Sequence, residues 1–136
     1  MPNTMTAPTN ALFNQASYIN GSWIGTGDGT FNTVLDKYHG TELARMPNAT
    51  EAQMEQAIAA AYASREVLRK MSAGERSEKL EALAALIEKN KVALAQLIVQ
   101  EGGKPIGYAE GEIARCIYTV KTAAAEALRS TGESVP

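Results

Sequence analysis

Few side chains in this chain could carry covalent or acid–base chemistry, and their spacing decides what they can do. The single cysteine, Cys116, follows Arg115, and a guanidinium beside a thiol can lower its pKa and prepare a nucleophile. A thiol nucleophile also needs a base within hydrogen-bond reach. The single histidine, His39, sits far away in a Tyr-His-Gly turn, so Cys116 reads as a buried structural cysteine in the apolar register of a helix. His39 reads as a solvated loop residue, and the two build no metal cluster. Glu110 and Glu112 are two residues apart and point to different sides of a helix, which spoils them as an acid/base pair. No catalytic site can be assembled from these residues.

Two glycine-rich runs invite a phosphate reading. "EGGKP", Glu101 to Pro105, resembles the end of a phosphate-binding loop, but such a loop needs a glycine where Ile98 stands and a hydroxyl where Pro105 stands. Both positions fail. "GTGDG", Gly25 to Gly29, lies between β-prone runs and opens no helix, so it reads as a flexible turn rather than a dinucleotide fingerprint.

The 136 residues fit one ordinary domain, with 45% hydrophobic residues to build a core. Thirteen basic and 15 acidic side chains leave a formal charge of -2, which offers no nucleic-acid footprint and no polybasic membrane anchor. No run approaches the about 18 apolar residues of a membrane span, and the polar amino terminus has no secretory pattern. With one cysteine and no possible internal disulfide, a reducing, cytoplasmic setting is expected.

The elements that must position any site follow from periodicity. Residues 1–16 read as a mobile arm. Asn20-Gly21 between Tyr18-Ile19 and Trp23-Ile24 predicts a tight hairpin turn, and two further β-prone runs, Phe31 to Leu35 and Thr41 to Met46, flank a turn near His39-Gly40. From about residue 50 the period becomes helical. Thr50 with Gln53, and Ser72 with Glu75, fit capping boxes. They open helices predicted over about Thr50 to Lys70, with Met54, Ala57, Ile58, Ala61 and Leu68 on one stripe, and from Ser72 to about Asn90. A third helix carries Val92, Leu94, Leu97 and Ile98 and closes at Gly102-Gly103, where glycine takes the left-handed conformation. Pro105 suits the first turn of the next helix, which is expected to reach about Ser130 with Ala109, Ile113, Cys116, Ile117, Val120, Ala124, Ala127 and Leu128 as its apolar stripe. The chain by itself is thus expected to be α+β: short amino-terminal strands over about 17–46, then about four helices over about 50–130.

Read in order, "YINGSW", "FNTV", "PNATEAQMEQAIAAAYAS", "MSAGERSEKLEALAALIEKNKVALAQLIVQEGGKP" and "AEGEIAR" followed by "AAAEALRSTGESVP" resemble the amino-terminal segment of the NAD(P)-dependent aldehyde dehydrogenases. The resemblance spans residues 17–136. It implies part of an α/β enzyme fold in which NAD or NADP oxidises an aldehyde to a carboxylic acid. In that family a cysteine thiolate attacks the aldehyde, an oxyanion site holds the adduct, and a glutamate activates water against the thioester. None of those residues matches a position here, so this chain is expected to stop before the nucleotide-binding core, to bind no nicotinamide cofactor and to be inactive alone.

The resemblance also implies one site. Family members hold a monovalent cation, K+ or Na+, with two strand carbonyls and an acidic side chain, and those positions match Thr33, Val34 and Glu101; all three offer the oxygen ligands that such cations prefer. Aspartate often stands where this chain has Glu101, whose extra methylene lengthens the reach. The expected partners are the remainder of the enzyme chain, a small aldehyde and, when complete, further copies in a homo-oligomer. The apolar stripe of the last helix is expected to lie against a sheet outside this chain. "AEGEIAR" looks closer to bacterial members acting on small hydroxylated or phosphorylated aldehydes than to the betaine-aldehyde type. Two other readings fit the caps and stripes equally well: a non-catalytic helical interaction module, or one half of a split enzyme.

Overall fold

The computed structural model describes residues 16–25 and 27–129, in which four short strands precede four helices. Strands β1 (Ser17–Ile19) and β2 (Ser22–Ile24) form an antiparallel hairpin with Tyr18 opposite Trp23. Asn20 and Gly21 take φ of 48° and 81°, the pair of left-handed residues that a two-residue turn needs to match strand twist. The Tyr18 and Trp23 rings pack with centroids 5.0 Å apart. Both remain more than half exposed.

Strands β3 (Phe31–Leu35) and β4 (Glu42–Pro47) form a second antiparallel pair, with Thr33 opposite Arg45 and Val34 opposite Ala44. The register becomes irregular between Val34 and Leu35. In the "GTGDG" run, expected as a flexible turn, Asp28 is held by hydrogen bonds. The Asp28 amide donates to the Asn48 carbonyl at 3.2 Å, and the Asp28 carboxylate accepts from the Thr30 amide and hydroxyl at 2.8 and 2.6 Å. A Cβ at Gly27 would stand 1.5 Å from the Asn48 oxygen, so this close approach needs glycine. The arm expected over 1–16 lies outside the described residues apart from Ala16.

Helix α1 (Glu51–Lys70) opens with the expected capping box: the Gln53 amide donates to Thr50 Oγ1 at 3.1 Å, and the Thr50 amide donates to Gln53 Oε1 at 2.8 Å. Helix α2 (Ala73–Lys89) repeats the device with Ser72 and Glu75. Helix α3 (Lys91–Gly102) ends where Gly103, at φ 68°, donates its amide to the Val99 carbonyl. Pro105 caps α4 (Ile106–Ala127), which ends three residues short of the expected Ser130; Ser130 itself lies outside the described residues.

Helices α2, α3 and α4 pack on one another, and their shared core pairs two alanines, Ala95 and Ala109, with Ile113 and Ile117, and Ile87, Leu94, Ile98 and Val99 lie against them. Ala84 and Ala124 are fully buried where α2 meets α4. Alanine on both sides lets helix axes approach closely, which is why so little side-chain volume closes the interior.

Two sequence expectations fail here. The α4 stripe is covered by α2 and α3 inside this chain at Ala109, Ile113, Ile117 and Ala124 rather than left for an outside sheet, while Leu128 at its end stays exposed. Cys116 is exposed rather than buried: it borders the stripe, and the α2–α3 surface reaches Ile113 and Ile117 without covering it. Helix α1, by contrast, has no buried residue at all and packs on β1, so its predicted stripe faces solvent at Met54, Ile58 and Leu68.

Candidate functional site at the junction of β3 and α3

The chain leaving β3 turns at Asp36 and meets the end of α3. The Lys37 amide donates to the Gln100 carbonyl at 2.8 Å, and β3 packs on α3. Gly103 closes the helix directly beneath, where an added Cβ would come within 3.2 Å of Lys37 Cβ. Thr33 and Val34, in β3, and Glu101, in the last turn of α3, therefore belong to two elements joined by this hydrogen bond. Sequence separates them by more than 60 positions.

The turn that makes the junction is organised by Asp36, which sequence reading passed over. Its side chain is nearly buried and accepts from the amides of Tyr38 at 2.9 Å and His39 at 2.8 Å, while His39 Nδ1 lies at 3.1 Å. The backbone closes the loop with Asp36 donating to Thr41 and Gly40 donating to Asp36. The His39 amide, foremost among these contacts, holds the Asp36 carboxyl below the usual carboxylate range. An aspartate whose side chain can accept from the amide two residues on, in a short run closed by glycine, is a turn signal that could have found it. His39 is thus exposed, as expected for a loop residue, but it is not without a partner.

On the other side of Gly103, Lys104 reaches across the corner between α3 and α4 to pair with Glu112. The hydrogen bond from Lys104 pulls the Glu112 carboxyl below its ordinary value. Glu112 is therefore a corner brace between α3 and α4. "EGGKP" reads in the structure as helix stop, left-handed glycine, corner brace and helix start.

A cation at this junction would meet negative surroundings. Helix α3 points the negative end of its dipole here, and Glu101 has no ion-pair partner among the described residues. Successive carbonyls of a regular strand point to opposite edges, so Thr33 and Val34 converge only where the strand deviates. The register is regular through Thr33 and Val34 and shifts only between Val34 and Leu35. Among the described residues no group of three His, Cys, Asp or Glu side chains is close enough to hold a metal by side chains alone. A groove of about 360 Å³ between α2, α3 and α4 is lined by apolar side chains, Glu110 and the Glu88–Lys91 ion pair, and it brings together no nucleophile and base.

Comparison with known proteins gives the fold its context. The model of the aldehyde dehydrogenase family matches residues 23–136. The 3-sulfolactaldehyde dehydrogenase of Pseudomonas putida is 34% identical over 93% of this chain and 26% of its own length. A glutarate-semialdehyde dehydrogenase from the same species is 35% identical over 92% of this chain and 26% of its own. A crystal structure of an aldehyde dehydrogenase from Brucella melitensis biovar abortus 2308 superposes with a TM-score of 0.90, at 28% identity, over 97% of this chain and 28% of that one. Other solved structures with this fold hold NADP or NAD. The chain spans about a quarter of the length of the relatives it matches. No helix among the described residues is long and apolar enough to cross a membrane. With a family match over most of its residues and a superposition over nearly all of them, the chain belongs to the aldehyde dehydrogenase family.

Proposed function

We propose that these residues serve as the amino-terminal scaffold of an aldehyde dehydrogenase that oxidises a small aldehyde to a carboxylic acid with NAD or NADP. The observation that carries this reading is the match over residues 23–136 to relatives about four times longer. In this reading Cys116, exposed on α4, takes no part in catalysis. The nucleophile, the oxyanion site, the water-activating glutamate and the cofactor loop come from the remainder of the enzyme, which works in the cytoplasm and assembles as a homo-oligomer. The aromatic groups left exposed, Tyr18 and Trp23 on the hairpin and Tyr108 and Tyr118 on α4, offer that remainder a surface to cover.

The relatives' names bear on the substrate. Sulfolactaldehyde and glutarate semialdehyde both carry an acidic group besides the aldehyde, so the aldehyde of this enzyme is a short one with an anionic end. The carbonyls of Thr33 and Val34 and the carboxylate of Glu101 hold K+ or Na+ at the junction of β3 and α3, where the cation ties strand to helix rather than touching substrate.

The test joins mass and turnover. The native protein should have a mass several times 14.5 kDa and reduce NAD or NADP with short anionic aldehydes. The 136-residue chain alone should yield no reduced nicotinamide with any of them. A native mass equal to this chain's, or turnover by the chain alone, would overturn the reading.

A further inference from the structure

We propose that the outer face of α1 pairs antiparallel with the same face of a second copy of this chain. Glu51, Glu55, Ile58, Tyr62, Arg65 and Arg69 follow one another along α1 at spacings of four, three, four, three and four residues. That alternation keeps all six on one seam of a helix and is the spacing by which two helices interlock. The seam has a sense: acidic pair, apolar pair, basic pair. Turned end for end, it is complementary to itself. Antiparallel alignment about its centre sets Glu51 against Arg69, Glu55 against Arg65 and Ile58 against Tyr62, each contact occurring twice by the two-fold axis.

Among the described residues no other element covers this seam, and its arginines are engaged only within α1. The opposite side of α1 carries Gln56, Ala59, Ala60 and Ala63, which face Ile19 and Ile24 of the hairpin. All six seam residues are exposed, with Ile58 at 57% and Tyr62 at 68%. Glu51 and Glu55 have no ion-pair partner among the described residues. Arg65 lies over the Tyr62 ring at 4.8 Å, and Glu66, on the flank, touches Arg65 at 3.8 Å and Arg69 at 3.1 Å. Tyr62 and Arg65 thus already form the stacked platform on which Ile58 of the other copy would rest. Parallel pairing would instead place Glu against Glu and Arg against Arg, so the charges select the antiparallel arrangement. One helix pair buries less than the ~1,200–2,000 Å² of a stable interface, which makes the association weak and dependent on concentration. The inference does not rest on the family reading.

Sedimentation of the 136-residue chain over a concentration series tests it. The wild type should shift from monomer to dimer and no further, and added salt should weaken the shift. Glu55→Arg should weaken association about tenfold, since it replaces two attractions with two repulsions. Arg65→Glu should do the same, and the double reversal should restore association to near wild type. Because Arg65→Glu also removes the stack on Tyr62, Glu51→Arg with Arg69→Glu gives a second rescue pair that leaves that stack in place. All four positions are exposed, so helical circular dichroism should not change. A chain that stays monomeric, or one whose association ignores both reversals, would overturn the proposal and direct attention to the Tyr18–Trp23 hairpin or α4.

Discussion

The two halves of this chain are held by different physics. From residue 16 to about 70, the turns carry the order. Paired left-handed residues, an aspartate accepting three hydrogen bonds, a glycine against a carbonyl and a capping box fix two strand pairs and α1, while Ile19 and Ala44 are the only buried apolar side chains described there. From α2 onward, burial carries the order, with Ala84, Ala95, Ala109, Ile113, Ile117 and Ala124 closed between three helices. Local hydrogen bonding shapes a backbone but buries little surface, so the first half has well-defined geometry with limited cooperativity, and the second half provides most of the stability.

A change of volume should break this contrast most visibly. Ala109 is fully buried where α4 crosses α2 and α3, and Ala109→Leu forces three extra carbons into a closely packed interior. The expected cost is about 2–3 kcal/mol, read as a fall in the denaturant midpoint. Ala61→Leu makes the same change on α1, where Ala61 is exposed, and should stay within about 0.5 kcal/mol of wild type. Equal losses at the two sites would mean that α1 is packed as tightly as α4 and would erase the distinction.

The seam between the halves is the next place to probe. Gly103 has φ 68°, and a Cβ there meets Lys37 at 3.2 Å. Gly103→Ala should cost about 1–2 kcal/mol from the left-handed backbone alone. It should also speed hydrogen exchange at the Lys37 amide, whose partner is Gln100, while leaving the amides of the α2–α4 core at wild-type protection. If exchange rose uniformly across the chain, β3 and α3 would be one cooperative unit and not two joined at a corner.

Much of this arrangement was legible in the sequence because it is local. Asn20-Gly21, Thr50 with Gln53, Ser72 with Glu75 and Gly103 before Pro105 each fix their own few residues, and each appears in the structure as read. What could not be read was which neighbour covers which stripe. Cys116 and Ile117 are adjacent on one apolar register, yet Ile117 is buried and Cys116 is exposed. Met54 and Ile58 have the spacing of core residues and face solvent. Periodicity defines a face but not its partner, since the partner is set by tertiary packing that no window of a single helix contains. The junction of Thr33, Val34 and Glu101 was reached through family resemblance, because residues so far apart in sequence share no local signal. Asp36, which builds the turn at that junction, was missed although its own signal is local.

The mildest perturbation is acid, and it should act on carboxylate contacts at turns, caps and corners before it reaches the buried core. The Asp36 carboxyl is held below its ordinary value, chiefly by the His39 amide, with the Tyr38 amide and the His39 ring assisting and partial desolvation opposing. A carboxylate whose folded pKa is depressed contributes stability that is present above the unfolded value of about 3.9 and is lost as pH falls through the folded one. Acidification below about pH 4 should therefore loosen the turn between β3 and β4 before the α2–α4 core, whose buried residues are nearly all uncharged. Nuclear magnetic resonance would follow the Tyr38 and His39 amides against those of Ile113 and Ile117 through the titration. Asp36→Asn should remove the pH dependence of the turn, because the amide oxygen still accepts from the backbone but no longer gains a proton. If Asp36→Asn titrated like wild type, the turn would owe its acid sensitivity to other carboxylates. If the core amides moved together with those of the turn, the two halves would share one stability and the contrast between them would be one of composition alone.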